Sequence, residues 1–358
     1  MARKTFFTFS LIMICLMMYG MTEALAPSNY QDANAGSMDN PFIIANLSNL
    51  RWLSENPKYW GDGYGTEYPD LVTVQKFYFL QTADIDASET ENWNNGAGFS
   101  PIGSESKEEY FWSEYDGQGF KIENLFINDT NETNVGLFGI VINSKLSNVN
   151  LVNTLINSGL ITGALVGSAI LSEISNSSTS GIINGITTEA LIGGLVGNTI
   201  STQIDRCFST VSIVGQDLIT HSQMGGLVAA LQEQSSVSNS YFMGEMSGIS
   251  LISGGLVSGS RNSFIGNSFV ASNRLLENSS NFLHYAMNST LSNNFWDYEF
   301  SHHAEGISVL IGNNVINDCF ALTTIEMKRA TTFINKGWDF DNLWNISSDI
   351  NDSYPHLR

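Results

Sequence analysis

The chain has 358 residues, of which 42% are hydrophobic and only 14% charged, with 15 basic against 35 acidic side chains and a net charge of −20. So acidic a surface repels phosphate backbones, which argues against nucleic acid as a partner. Three cysteines are too few for a small disulfide-stapled fold. Abundant Asn, Ser, Thr, Gly, Ile and Val favour strands and turns over long helices.

Residues 1–26 predict a secretory signal peptide. Two basic residues precede an apolar run of about fourteen residues, and small residues end it at Ala24 or Ala26, which are alternative cleavage positions. The run is shorter than the roughly twenty residues of a membrane-spanning helix. We therefore expect an exported protein, secreted or at the cell surface, without a membrane span in its mature chain. Cleavage after Ala26 leaves 13 basic against 34 acidic residues, a net charge of −21.

Export would place the mature chain in an oxidising compartment. Only Cys207 and Cys319 lie beyond the signal peptide, so at most one disulfide within the chain is feasible. Disulfides form and persist in oxidising compartments. The sequence alone leaves open whether these two cysteines pair.

Residues 27–122 are rich in aromatic side chains and lack the repeat that begins after them. Terminal units of stacked repeats are atypical because they must close the end of the core, so we interpret this region as an N-terminal cap. Stacking on sugar rings is the alternative role for these side chains. The aromatic residues are Trp52, Trp60, Tyr64, Trp93, Tyr110, Phe111, Trp112 and Tyr115.

Residues 123–297 carry a degenerate repeat with two markers. The first marker is a Gly-Leu-Val-Gly-like tetrapeptide that recurs at spacings of 28, 30, 32 and 29 residues, beginning at Gly136, Ala164, Gly194, Gly226 and Gly255. The second is an apolar residue, a variable residue and usually Asn, beginning at Leu146, Ile174, Ile204, Val237, Ile265 and Leu291. The sixth copy of the second marker implies a decayed sixth unit near residues 282–285.

This repeat predicts an all-β, β-helix-like solenoid. One coil of about thirty residues cannot bury its own apolar face, but coils stacked about 4.8 Å apart share a continuous core. The units are too short for the four strands of a propeller blade. Asn in the second marker would cap turns and tolerate left-handed backbone angles. Handedness cannot be read from the repeat, and a right-handed coil is the expectation.

Residues 298–358 predict a C-terminal capping segment. Thr323 and Glu326 form a capping-box pattern that begins a short helix, which Gly337 ends at the latest. We expect this segment to cover the open end of the core.

The order of these motifs resembles the GLUG-motif repeat proteins. Asp84-Ile85-Asp86, Pro101-Ile102-Gly103 and Asp116-Gly117-Gln118-Gly119 precede the repeated tetrapeptides in the order that the family shows. The resemblance implies an extracellular, adhesin-like protein of the kind found in bacteria and archaea. The motif also occurs in streptococcal immunoglobulin A proteases, outside their catalytic domain. The pattern departs from the family at Ala164, Ala229 and Ser258.

The repeat register allows a search for catalytic residues. Polysaccharide-cleaving solenoids need acidic or basic side chains that converge from adjacent coils. The position after the repeated apolar residue is occupied by Ser147, Ser175, Asp205, Ser238, Gly266 and Ser292. The position before it is occupied by Lys145, Glu173, Gln203, Ser236, Phe264 and Thr290. Acids do not stack in either column, so no catalytic residue is assigned, and Asp205-Arg206 is interpreted as a substituted turn.

Asp84, Asp86 and Asp116 are weak calcium candidates, since two alternate on one strand and the third lies in a glycine turn. Capping of backbone amides is the simpler role for such aspartates. His302-His303 has no further ligand at metal-binding spacing, which favours a solvated loop. No cofactor is otherwise indicated.

Together these patterns predict a secreted or cell-surface solenoid for adhesion, or for binding glycans or surface proteins, with no evident catalytic site. The alternative is a carbohydrate-active enzyme, a lyase or hydrolase, whose site lies in an inter-coil insertion within residues 54–76 or 298–320. The sequence assigns neither the ligand-binding residues nor the oligomeric state.

Overall fold

The structure is a computed structural model that describes residues 22–61, 75–129, 132–215, 222–248, 252–276, 279–301 and 305–358. It is an all-β solenoid of parallel strands, as the repeat predicts. Its seven-stranded sheet contains one strand from each of seven coils, joined in chain order. The first 21 residues of the predicted signal peptide lie outside the described residues.

The strands and helices are short. In chain order the strands are β1 Phe42–Ile44, β2 Tyr78–Gln81, β3 Ile85–Asp86, β4 Glu114–Asp116, β5 Lys121–Glu123, β6 Phe126–Ile127, β7 Asn134–Val135, β8 Phe138–Ile142, β9 Lys145–Ser147, β10 Asn150–Asn157, β11 Ile161–Gly163, β12 Val166–Ile170, β13 Glu173–Ser175, β14 Ser178–Gly185, β15 Leu191–Gly193, β16 Val196–Ile200, β17 Gln203–Asp205, β18 Phe208–Ser209, β19 Ser212–Gly215, β20 Gln223–Gly225, β21 Val228–Gln232, β22 Ser236–Ser238, β23 Tyr241–Phe242, β24 Glu245–Gly248, β25 Ile252–Gly254, β26 Val257–Arg261, β27 Phe264–Gly266, β28 Phe269–Val270, β29 Leu283–Met287, β30 Thr290–Asp297, β31 Ile307–Ile311, β32 Val315–Leu322, β33 Trp344–Asn345 and β34 His356–Leu357. The α-helices are α1 Leu47–Ser54, α2 Tyr298–Ser301, α3 Thr324–Met327 and α4 Ala330–Ile334, and the 3₁₀ helices are Pro57–Tyr59, Ser88–Asn92, Asn94–Gly96 and Asn351–Ser353.

Three parallel sheets form the walls of the solenoid. A five-stranded sheet runs from β7 to β25, and the seven-stranded sheet runs from β8 to β31. The third sheet has 20 strands in two rows. Row A contains β1, β2, β4, β9, β13, β17, β22, β27 and the first halves of β30 and β32. Row B begins with β3 and β5 and ends with the second halves of β30 and β32.

The leucines of the repeated tetrapeptide form the centre of the core. The six residues in this column are fully buried: Leu137, Leu165, Leu195, Leu227, Leu256 and Phe282. Phe282 confirms the sixth, decayed unit, whose strand β29 pairs in register with β26. The glycine that opens the tetrapeptide permits close approach of neighbouring coils. A Cβ atom at Gly194 would lie 2.1 Å from the carbonyl oxygen of Gly226.

Buried hydroxyl groups line two corners of the coil. At the corner before row A, Ser144 N–H donates to Ser172 Oγ at 3.1 Å, and Ser172 N–H donates to Thr202 Oγ1 at 3.3 Å. At the corner after row A, Ser240 N–H donates to Ser268 Oγ at 3.2 Å. Each side chain thereby satisfies a corner amide of the preceding coil, which would otherwise be buried without a partner.

The N-terminal region closes its end of the core with aromatic side chains, as expected. Trp52, Trp60, Trp93 and Phe111 are buried in the main core. Tyr64 lies outside the described residues. Strands β1, β2 and β4 also extend row A, so the cap is itself built from partial coils.

The C-terminal segment contains the predicted short helix but packs elsewhere than expected. In the capping box of α3, Thr323 Oγ1 accepts from Glu326 N–H and Glu326 Oε2 accepts from Thr323 N–H. Residues 323–358 of the segment do not cover the end of the core, where Leu310 stays 54% exposed. Trp338 and Trp344 lie against an outward-facing aromatic ladder on row B, formed by Phe208, Tyr241, Phe269 and Phe295. These C-terminal residues pack there because the ladder is a large apolar surface on the side of the coils.

The parallel ladder continues for one coil beyond the repeat motif. Strand β31 pairs with β29, and β32 pairs with β30 over seven residue pairs. Residues 307–322 therefore form a seventh coil. They lie inside residues 298–358, which the sequence predicts to be a C-terminal capping segment.

Leu195→Ala tests the central column. We expect the free energy of unfolding to fall by about 2–5 kcal/mol, because a fully buried leucine is replaced by a cavity. Urea unfolding followed by circular dichroism measures the loss. Leu160→Ala is the matched control, since Leu160 also lies in a bend but is 43% exposed. An equal loss in the two variants would contradict the assigned core.

Candidate functional site

The outer face of row A presents side chains in straight columns. The register confirms the columns derived from the repeat: Ser147 pairs with Ser175, Ser175 with Asp205, and Asp205 with Ser238. The neighbouring column joins Tyr78, Glu114, Lys145, Glu173, Gln203, Ser236, Phe264 and Thr290. Successive coils therefore offer these groups to solvent about every 4.8 Å.

The predicted Asn turns are confirmed by their backbone angles. The residue that follows each row A strand has a left-handed φ between +48° and +56° in Asn148, Asn176, Arg206, Asn239, Asn267 and Asn293. Asparagine adopts this conformation more readily than other side chains with a Cβ atom. The amides also link coils, since Asn148 Nδ2 donates to Asp116 Oδ1 at 2.8 Å.

Asp205 and Arg206 occupy one of these turns. Arg206 Nε lies 2.8 Å from Asp205 Oδ2, and Asp205 Oδ1 accepts from Ser238 Oγ at 2.8 Å and from Asn239 Nδ2 at 2.7 Å. Both side chains are partly exposed. The pair therefore substitutes for the Ser-Asn step of the other coils and holds the same turn.

A groove of about 300 Å³ lies at the N-terminal end of this face. The loop before β1 forms one wall with Met38 and Pro41. The outward side chains of β2, β4 and β9 form the floor and the other wall with Tyr78, Leu80, Glu114, Asp116, Lys145 and Ser147. Among outward side chains, the groove combines the Tyr78 ring with two carboxylates, an ammonium group and a hydroxyl, and the buried Phe79 and Tyr115 also line it.

Charges in the groove are balanced by neighbouring side chains. Lys76 Nζ lies 3.8 Å from Glu114 Oε1, and Lys145 Nζ lies 3.8 Å from Glu173 Oε2. Burial, and then the Glu114 carboxylate, raise the pKa of the Tyr78 phenol above its usual value. Tyr78 therefore stays a neutral hydrogen-bond donor at physiological pH.

Tyr78, Glu114 and the two loop residues of this groove are not predicted as site residues from the sequence. Strand alternation contains a usable signal for Tyr78, because Phe79 is buried and its neighbours must then face outward. The approach of Met38 and Pro41 depends on the path of the loop before β1. No periodic pattern encodes that path.

A second hollow of about 370 Å³ lies on row B. It is lined by Ser88, Glu91, Asn124, Phe126, Asn153, Thr154, Leu155 and Ile182. Glu91 is the one charged side chain among these eight residues. The groove on row A differs from it in having three charged side chains, Glu114, Asp116 and Lys145, beside its aromatic ring.

Each of the three calcium candidates accepts hydrogen bonds from backbone amides, Asp86 and Asp116 within their own turns and Asp84 from the next strand. Asp84 Oδ1 accepts from Lys121 N–H at 2.8 Å, and Asp116 Oδ1 accepts from Gln118 N–H at 2.9 Å. Asp86 Oδ1 accepts from Asn124 Nδ2 at 3.1 Å and from Ser88 N–H at 3.0 Å. Within the described ranges, no three His, Cys, Asp or Glu side chains come together at a metal-binding distance. Calcium binding stays a prediction for these aspartates, and His302-His303 lies outside the described residues.

The two cysteines are free and stand in the same corner column. Cys207 and Cys319 are four coils apart, which corresponds to about 19 Å at 4.8 Å per coil and exceeds the reach of a disulfide. Burial raises the pKa of the Cys207 thiol to about 12. Cys207 therefore stays protonated and serves as a small core residue.

These features define a parallel β-solenoid with a polar outer face and a groove on row A that combines aromatic and charged side chains. No family model matches the chain. A crystal structure of a Bacteroides ovatus protein, provisionally named an immunoglobulin A1 protease, superimposes with a TM-score of 0.59 at 16% identity over 90% of this chain and 94% of that one. This likeness concerns the fold.

Three curated relatives share part of the sequence. Halomucin of Haloquadratum walsbyi is 30% identical over 177 residues, and a protein of Evansella cellulosilytica, provisionally named a Gly-rich membrane protein, is 26% identical over 196. The immunoglobulin A1 protease of Streptococcus sanguinis is 33% identical over 138 residues. The matches cover 48%, 53% and 36% of this chain but only 2%, 19% and 7% of those proteins. No helix among the described residues is long and apolar enough to span a bilayer.

Arg206→Asn tests the substituted turn. We expect unfolding to require slightly more urea, by about 0.5–1 kcal/mol in free energy, because Asn tolerates the left-handed conformation better than Arg. Asn176→Arg, in the neighbouring coil, is the reciprocal control and should lower stability. A loss of stability in Arg206→Asn would show that the ion pair matters more than the turn.

Asp86→Asn tests turn capping against calcium binding. Hydrogen bonds from Asn124 and then Ser88 lower the pKa of Asp86. The carboxylate therefore contributes stability above its unfolded pKa of about 3.9, and that contribution is lost as pH falls through the folded pKa. We expect Asp86→Asn to be less stable than the parent at pH 7, with a difference that shrinks in acid. The difference should be the same with calcium or a chelator, and dependence on calcium would favour metal binding.

Proposed function

We propose that this chain is a secreted or cell-surface β-solenoid module that binds glycans through the groove on row A and does not catalyse their cleavage. The observation that supports glycan binding is the position of the Tyr78 ring beside Glu114, Asp116, Lys145 and Ser147 in one groove of about 300 Å³.

The chemistry of the groove suits a sugar ring. The apolar face of a pyranose stacks on an aromatic side chain, and the half-exposed Tyr78 offers such a surface. Sugar hydroxyls donate to carboxylates and accept from ammonium and hydroxyl groups, which Glu114, Asp116, Lys145 and Ser147 supply. Because the column of Ser147 continues with Ser175 in the next coil, an extended chain of sugars has further hydroxyl groups to contact beyond the groove.

Export is supported by residues 1–26 and by the names of two relatives. Halomucin and the Gly-rich membrane protein both point to the cell envelope or its surroundings. The resemblance to GLUG-motif proteins points the same way. A net charge of −21 after signal removal keeps such a module soluble outside the cell.

The absence of catalysis is part of the proposal and rests on how the groove carboxylates are held. Glycoside hydrolysis needs one protonated and one charged carboxyl group. Asp116 accepts hydrogen bonds from Gln118 and Asn148, and Glu114 lies beside Lys76. Both carboxylates are therefore already engaged by hydrogen-bond donors or a cation of the protein itself. The match to the streptococcal protease covers 7% of that protein, so peptidase activity is not carried over.

Tyr78→Ala tests glycan binding. A glycan array identifies a ligand for the parent chain, and isothermal titration then compares affinities. We expect Tyr78→Ala to weaken binding at least about tenfold, or about 1.4 kcal/mol, because the stacking surface is lost. Phe264→Ala is the matched control, since Phe264 occupies the same column six coils away and should leave affinity unchanged.

Two outcomes would contradict the proposal. Equal affinities of parent and Tyr78→Ala would remove the groove as the binding site. Release of new reducing ends or unsaturated products from uronate or neutral polysaccharides would favour the alternative, a carbohydrate-active enzyme.

A further inference from the structure

The C-terminal end of the solenoid is open. Within the described residues, β31 and β32 pair with the preceding coil on one side, and no strand pairs with their outer edges. Six apolar side chains of these two strands are 39–54% exposed: Val309, Leu310, Ile311, Val315, Ile316 and Phe320. We name these residues the end surface.

Two residues of the end surface, Leu310 and Ile316, belong to the core of the solenoid, and the other four lie on outward-facing columns around it. Leu310 continues the inward column of Leu231 and Ala286, both fully buried. Ile316 continues the column of Ile265 and Leu291, which are also fully buried. In the preceding coils the same positions are covered by the next coil, and here that cover is missing because the C-terminal segment packs on the side.

The sequence of the end surface lacks the usual protection of a free strand edge. Natural edges are blocked by lysine, proline or a bulge, because exposed N–H and C=O groups otherwise recruit another strand. Residues 306–317, which carry five of the six residues of the end surface, contain no charged residue and no proline, in a chain whose net charge is −20. Phe320 lies beyond them, two residues after Asp318, whose carboxylate is paired with Lys336 at 2.8 Å. The stretch 306–317 is therefore uncharged in an otherwise acidic protein.

A second copy of the chain is the occupant that fits this surface. Two copies repel each other over most of their acidic surfaces, and the repulsion is smallest where both are uncharged. The edges of two copies also supply the backbone donors and acceptors that each lacks.

The other end of the solenoid excludes a head-to-tail arrangement. The outer side of β1 is covered by the preceding loop, where Asn29 Nδ2 donates to Pro41 O at 2.8 Å and Asn29 Oδ1 accepts from Ile43 N–H at 3.2 Å. Rings of Tyr30 and Tyr59 pack there against Phe42. Of the two ends, as far as the structure describes them, the C-terminal one offers the free edge, so the contact must use the same surface on both copies.

We propose that two copies of this chain associate tail to tail through the end surface, as a closed dimer with twofold symmetry. Strands of twofold-related copies can run antiparallel at such a contact, and Leu310 and Ile316 of each copy cover the core of the other. An isologous contact uses up both free edges, so assembly stops at two copies.

Sedimentation equilibrium of the purified chain tests the proposal. We expect a reversible monomer–dimer equilibrium. Leu310→Lys should raise the dissociation constant at least tenfold, because it places like charges at the centre of the contact. Val309→Lys is the second variant, since Val309 points away from the core and the substitution cannot disturb folding through core packing. Ile182→Lys is the matched control, because Ile182 is 43% exposed on a strand in the middle of the solenoid.

Each alternative result would overturn the proposal. A parent chain that stays monomeric at all concentrations has no such contact. Assemblies larger than a dimer would mean an open, head-to-tail contact. A dimer that persists in Val309→Lys, with unchanged circular dichroism, would place the contact elsewhere, as would a dimer weakened equally by Ile182→Lys.

Discussion

The parallel, in-register pairing of successive coils is the interaction on which the other features of this protein depend. Each side chain has the equivalent side chain of the next coil about 4.8 Å above and below it, so a column must tolerate its own repetition. Like charges at that distance repel, whereas Asn, Ser and Thr can bond to each other. The low charged fraction of the chain and its many polar uncharged residues follow from this constraint. In the row A column of Glu114, Lys145 and Glu173 the charges alternate.

The same constraint governs the interior. A coil must turn at its corners, and each corner leaves amides inside the core. Buried Ser and Thr side chains solve the problem between coils, as Ser172 does for the amide of Ser144. The apolar columns therefore exclude water from the core. The hydroxyl columns accept hydrogen bonds from the buried corner amides that water can no longer reach.

Much of this architecture is predictable from the sequence because pairing is local and periodic. The spacing of the tetrapeptides predicts the coil, and the apolar-x-Asn step places Ser147, Ser175 and Asp205 in the correct column. Composition, however, cannot show the seventh coil, since β31 pairs through ordinary β-branched residues without the tetrapeptide. Composition also does not predict that Trp338 packs on the side of the coils. The aromatic ladder at that place is formed by residues about thirty positions apart in the sequence. The groove joins Met38 and Tyr78 by a loop path that no repeat encodes.

The regular stacking also fixes the distance between features at the two ends of the solenoid. The groove lies near one end and the end surface at the other, separated by seven steps of the row A ladder from Asp116 to Asn317, or about 34 Å. Each step is one interchangeable unit that presents the same two contact faces to its neighbours. Gain or loss of a whole repeat during evolution would change that distance in increments of one strand spacing, while the chemistry at both ends stayed the same.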